Sequence, residues 1–222
     1  MRRALLLVAA LLFAAARFAT LSIEPYGDSV LDLETGVTTL PQGGVIYDSA
    51  NDVSIDAGYI EYVEDAYIVA KQAKMATEKV RIEAEKLRYV PEREEVVLEG
   101  KIVFDSDQLK GLEAGRGWVD LEHGVAVVSD GVRAASPELE AARLVAAYRD
   151  GEVLLFAPYR YRDEKLGATL KGTNPEKPLY LKFDLETGEV SASSRVPDEV
   201  RQRLLPYAQQ DKRFTSEGQG SN

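Results

Sequence analysis

The chain has 222 residues and carries 37 Asp and Glu against 27 Lys and Arg, a formal net charge of −10. That sign repels nucleic acid, so binding driven by counterion release is excluded. With no cysteine and a single histidine, His123, the chain lacks disulfides, thiolate nucleophiles, Cys-based zinc sites and any histidine cluster.

The first segment reads as an address. Arg2 and Arg3 precede an unbroken apolar run of 13 residues, Ala4 to Ala16, that ends in an A-x-A site at Ala14 and Ala16. A basic start, a short apolar core and small residues at its end describe a secretory leader covering 1–16. The run is short of the ~20 apolar residues of a membrane span. Retention as an uncleaved anchor reaching to about residue 21 is the other outcome, and it requires burying Arg17.

From there the sequence repeats. An aliphatic residue, an acid and an alanine recur as Ile55-Asp56-Ala57, Ile82-Glu83-Ala84, Leu112-Glu113-Ala114 and Leu139-Glu140-Ala141, at spacings of 27, 30 and 27. Each is followed by a turn-like stretch: Glu64-Asp65, Pro91-Glu92, Glu122-His123-Gly124 and Arg149-Asp150-Gly151. After each turn comes a strand-like run: AYIVA, EVVLEG, VAVVS and EVLLFA. GGVIYDS at 43–49 also lines up with GKIVFDS at 100–106, an offset of 57 that carries Ile55–Gly58 onto Leu112–Gly115. DLETG occurs at 32–36 and 184–188, with DLEHG at 120–124; by composition these are turns. Each period therefore supplies two strands of about 8–10 residues, roughly 26–33 Å long, and two turns. The unit runs from about residue 22 to 195, with atypical end copies.

Two stretches conflict locally with that reading. Ser136-Pro137-Glu138 before LEAARLVAAYRD carries the marks of a helix start and good helix formers, and AKQAKMATEK at 70–79 is similar. The equivalent of the first, LEAGRG at 112–117, holds two glycines that disfavour a helix. Equivalent repeats share one backbone, so both stretches are predicted to be strands. Alternation then places Val80, Ile82 and Ala84 on one face, and likewise Val96, Leu98, Ile102 and Phe104, and Val153, Leu155, Ala157, Tyr159 and Tyr161. The recurring alanines are expected where facing sheets come close. Apolar positions near the turns are often aromatic: Tyr62, Tyr89, Trp118 and Tyr148. Residues 196–208 read as a short helix, with Asp198 and Glu199 in its first turn, and 209–222 as a disordered polar tail.

The order Ile82-Glu83-Ala84 with Tyr89, then Leu98-Glu99-Gly100-Lys101-Ile102, then Leu112-Glu113-Ala114, resembles the repeat of the LptA/OstA family of lipopolysaccharide-transport proteins, best over 53–161. The resemblance extends to the LptC-like members and to the N-terminal domain of the LptD type. It implies an all-β fold, a repetitive antiparallel β-jellyroll, solenoid-like and open-edged, here with a short C-terminal helix. It implies a periplasmic, non-enzymatic protein without catalytic residues, cofactor or metal, that holds an acylated lipid such as lipopolysaccharide. Its implied partners are other jellyroll subunits of an envelope bridge, an inner-membrane ABC transporter and copies of itself joined end to end. The lipid-groove candidates are Ile82, Ala84, Tyr89, Leu98, Ile102, Phe104, Leu112, Trp118, Tyr148, Leu155, Ala157 and Tyr159.

One feature departs from a lipid-phosphate grip. Positive residues are interleaved with acids, as in Arg160-Tyr161-Arg162-Asp163-Glu164-Lys165, so cargo recognition is expected to rest on chain burial. Two other classes stay open. An assembly module using its open edges without lipid predicts a filled interior, and a small carbohydrate-active enzyme predicts converging carboxylates.

Overall fold

The computed structural model describes residues 21–48, 53–76 and 80–208. The leader, the polar tail and the end of the 70–79 stretch lie outside the described residues. The strands are β1 (Leu21–Pro25), β2 (Val30–Leu31), β3 (Thr38–Leu40), β4 (Gly44–Asp48), β5 (Val53–Ala57), β6 (Tyr59–Val63), β7 (Tyr67–Ala76) and β8 (Val80–Val90). After a single 3₁₀ turn, Pro91–Arg93, follow β9 (Glu95–Ser106), β10 (Leu112–Asp120), β11 (Val125–Ala134), β12 (Leu139–Ala147) and β13 (Glu152–Asp163). The described residues end with β14 (Ala168–Gly172), β15 (Leu179–Phe183), β16 (Val190–Ser193) and a helix α1 (Asp198–Ala208). All pairings are antiparallel and join one continuous, open sheet.

Both helix-like stretches are strands where described. Leu139–Ala147 pairs with β11 on one side and β13 on the other, and Tyr67–Ala76 pairs with β8. Helix propensity is a weak prior. Here it yields to two ladders of hydrogen bonds and to burial of Leu139, Ala141, Leu144 and Ala146.

The sheet is creased along its middle. Register shifts fall at the same level in neighbouring pairs: between Glu83 and Lys86 on β8, Ala114 and Arg116 on β10, Ser129 and Val132 on β11, and Ala141 and Arg143 on β12. The extra residue sits on every second strand, at Gly100-Lys101 of β9, Asp130-Gly131 of β11 and Ala157-Pro158 of β13. Such bulges bend a strand and sharpen its twist. Towards the N-terminus the crease becomes a break, at Gly43 between β3 and β4 and at Gly58 between β5 and β6. Left-handed backbone marks it on alternate strands, with φ of 75° at Gly43, 54° at Gln72, 83° at Gly100 and 65° at Asp130. Glycine suits such positions because it has no Cβ. The 57-residue offset from Gly43 to Gly100 is therefore the repeat of the crease.

The crease divides the sheet into two half-sheets. One runs β1, β4 and β5, continues through the C-terminal halves of β7, β9, β11 and β13 and the N-terminal halves of β8, β10 and β12, and ends at β14. The other runs β2, β3 and β6, continues through the complementary halves, and ends at β15 and β16. The repeated alanines, Ala57, Ala84, Ala114 and Ala141, are all buried and lie at the crease.

Helix α1 packs on the outside of the second half-sheet. Val200 and Leu204, with Val196 before the helix, cover Trp118, Val125, Val127, Val145, Ala147 and Leu154. Asp198 and Glu199 in its first turn complement the positive helix N-terminus. Arg203 ties the helix to the sheet, meeting Asp150 at 2.7 Å and also the carboxylate of Glu152.

Candidate functional site: an apolar interior between two half-sheets

Alternating side chains from both half-sheets meet in one hydrophobic interior that runs from Leu40 to Phe183. Within it lies a cavity of about 120 Å³, spanning the strands from β7 to β13 and β15. Its lining is aliphatic and aromatic apart from Gly151 and Ser106, and the Ser106 hydroxyl accepts a bond from the Leu109 amide at 3.2 Å. An apolar cavity stays dry because water entering it would lose its hydrogen bonds, and one of about 150 Å³ takes a benzene-sized guest.

Six of the expected groove residues line this cavity: Ile82, Ala84, Leu98, Ile102, Phe104 and Leu112. Tyr89, Tyr148 and Leu155 are buried in the same interior, and Tyr159 packs partly buried against it. Two residues are corrections. Trp118 lies on the outer face under α1, its ring 5.8 Å from that of Tyr207. Ala157 sits at the crease of β13, partly exposed, and belongs to neither apolar cluster.

The reason is a shift in alternation. On β10 the interior residues are Leu112 and Ala114 before the crease, but Val119 after it. β8 changes likewise, from Val80 and Ala84 to Leu87 and Tyr89, and β12 from Leu139 and Ala141 to Leu144 and Ala146. β9 and β11, which carry the extra residue, keep their parity. Sequence reasoning passed over lining residues such as Leu87, Val119 and Leu144, which take the other parity beyond the crease, and Phe183 on β15. Gly100, Gly115 and Gly131, each at the level of the crease, were the available signal.

Buried tyrosines add polar tips to this interior. Burial pushes the hydroxyls of Tyr89, Tyr148 and Tyr161 up to about 12, with nearby carboxylates adding to the rise: Glu94 and Asp48 for Tyr89, Asp120 for Tyr148, Asp163 for Tyr161. For Tyr148 the Arg149 guanidinium opposes it. Buried acids serve the turns and the helix. Asp163 accepts from the Leu166 amide at 2.9 Å, and Glu152 accepts from Tyr180 and Lys182 at 3.2 and 3.3 Å. His123 is 59% exposed in the turn after β10, its Nδ1 2.9 Å from Asp120. Among the described residues no group of three or more His, Asp or Glu side chains is placed to hold a metal ion. No described helix is long and apolar enough to cross a membrane.

The geometry defines a class: an open antiparallel sheet folded along a crease around an apolar interior. No protein-family model and no curated protein matches the chain. Among solved structures it is similar to LptH of Pseudomonas aeruginosa, described as the LptA-homologous periplasmic component of the lipopolysaccharide transport device. The identity is 11% and the TM-score 0.43, over 50% of this chain and 82% of that one.

Proposed function

We propose that this protein is a periplasmic lipid-bridging element, shielding the acyl chains of lipopolysaccharide or another acylated envelope lipid on its way toward the outer membrane. The observation that carries the proposal is the almost wholly apolar cavity held between the two half-sheets. Burying a methylene is worth about 0.8 kcal/mol, so a dozen of them left in water cost roughly 10 kcal/mol. A carrier has to replace that lost apolar contact, and the stacked side chains of β7 to β13 offer a continuous surface for it. The headgroup stays in solvent, in keeping with cations that are paired to acids, such as Arg133 with Glu113 and Lys86 with Glu99.

Among the described residues the sheet is open at both ends. β1 and β2 begin it and β14 and β16 end it. Unpaired strand edges accept further strands, which suits jellyroll subunits of a bridge, an inner-membrane ABC transporter complex or further copies of the chain as partners. A second reading, an envelope assembly module without lipid, is favoured by one observation: Val30, Leu31 and Leu33 at the β2 edge are 58%, 56% and 88% exposed.

Mass spectrometry of the purified protein tests the first reading, combined with a photo-crosslinking residue at Phe104 and, as an outward control, at Trp118. Acyl lipid attached at Phe104 and not at Trp118 is expected. Lipid-free protein with no adduct at Phe104 leaves the assembly module as the reading.

A further inference from the structure

The cavity is smaller than the proposed cargo. A volume of about 120 Å³ admits a ring-sized apolar group, so a whole acyl chain requires the half-sheets to part. They are joined along the crease by continuous strands, and opposite the crease their turns form two rims.

The rims meet through side chains. On one side are the turns 107–111 and 164–167; on the other is the turn 184–189. Lys165 Nζ lies 2.6 Å from Glu189 Oε2 across the seam, and the Gln108 side chain lies beside Gly188. Leu109 and Leu185 pack onto the interior from opposite rims. Ser106 and Leu109 from one rim, and Leu121, Gly151 and Phe183 from the other, reach the cavity. Among the described residues no strand ladder crosses the seam: β14 pairs with β13 and β16 with β15. The turn 184–189 is itself stiff, since the Asp184 carboxylate accepts the Glu186 and Thr187 amides at 2.9 and 2.8 Å, and Gly188 donates to the Asp184 carbonyl at 2.9 Å.

We infer that the β15–β16 hairpin is a lateral clasp: Lys165–Glu189 and the leucines behind it close the seam, and acyl chains enter sideways when the half-sheets open about the crease. This rests on the lipid-holding reading. Both charged side chains are largely exposed, at 58% and 64%. An exposed pair of this kind contributes little to stability, so the clasp closes without locking.

The cysteine-free chain gives a clean test. In the double variant Lys165→Cys, Glu189→Cys, a bis-methanethiosulfonate reagent bridges the rims and a reductant releases them. Loading is followed with a polyene fatty acid whose fluorescence rises in apolar surroundings. The bridged protein is expected to lose loading and to recover it on reduction. Protein bridged after loading is expected to retain the probe. In the uncrosslinked chain, Glu189→Lys, which sets two cations against each other, is expected to load faster than the natural protein. Equal loading of the bridged and reduced forms overturns the clasp and leaves entry from the sheet ends. Failure of the natural protein itself to load overturns the lipid-holding reading and the clasp with it.

Discussion

At the residue scale, glycine at the crease has two separate costs of replacement. Gly43 and Gly131 both have left-handed backbone, with φ of 75° and 81°. A Cβ on Gly43 would fall 1.9 Å from the Ala57 carbonyl oxygen, whereas one on Gly131 would meet nothing within 4 Å. Gly131→Ala therefore costs the backbone term, about 1–2 kcal/mol. Gly43→Ala costs that and a displacement of strand β5, and a urea titration of the two variants is expected to rank them in that order. The buried tyrosines make a second prediction. Burial pushes their hydroxyls up from the ordinary 10.0 to about 12. The folded state holds these protons more tightly, so their contribution is fully present below pH 10 and falls as pH rises from about 10 through 12. Thermal melts across that range, with tyrosinate absorbance recorded in parallel, check it. Destabilisation is expected to accompany late ionisation, and early ionisation in an intact fold contradicts it.

At the scale of elements, the helix and the creased strands behave differently. Helix α1 adds a small core on the outside of a sheet whose main core lies on the other face. Leu204 is fully buried there, and Leu204→Ala is expected to cost about 2–5 kcal/mol of helix docking. Trp118 is the single tryptophan of the chain and sits under the helix. Its emission is expected to shift to the red in that variant while far-ultraviolet circular dichroism keeps its strand signature. The crease, by contrast, was partly legible. The repeated alanines and the offset between Gly43 and Gly100 marked its level, but not that β8, β10 and β12 change parity there. That omission put Trp118 on the wrong face. A pattern with period two predicts a face only while the strand stays regular, and a bulge resets it.

At the scale of the whole molecule, the proposed function depends on space between half-sheets. Ala146 lines the cavity and is buried, so Ala146→Phe fills the space and is expected to abolish uptake of a fluorescent fatty acid. Overpacking of this kind costs about 1–3 kcal/mol, which a thermal melt separates from loss of binding. Uptake unchanged in the folded variant places the chain elsewhere. The ends of the sheet carry the other half of the proposal. At the β2 edge the apolar side chains of Val30, Leu31 and Leu33 face solvent, and a partner seated there serves the bridge and the lipid-free assembly module alike.

The sequence by itself determined the strand content, the turns and the repeat, because these follow from local backbone chemistry. Asp184 with Gly188 and Asp32 with Gly36 build the same turn wherever they occur. It also marked part of the interior, since alternation needs no partner to be read. The tertiary structure decided which side of the crease each later residue faces, that α1 covers an outer face, and that the rims at Lys165 and Glu189 meet. Those outcomes depend on where two half-sheets and a helix come to rest against one another. Contacts between residues so far apart leave no period in the chain.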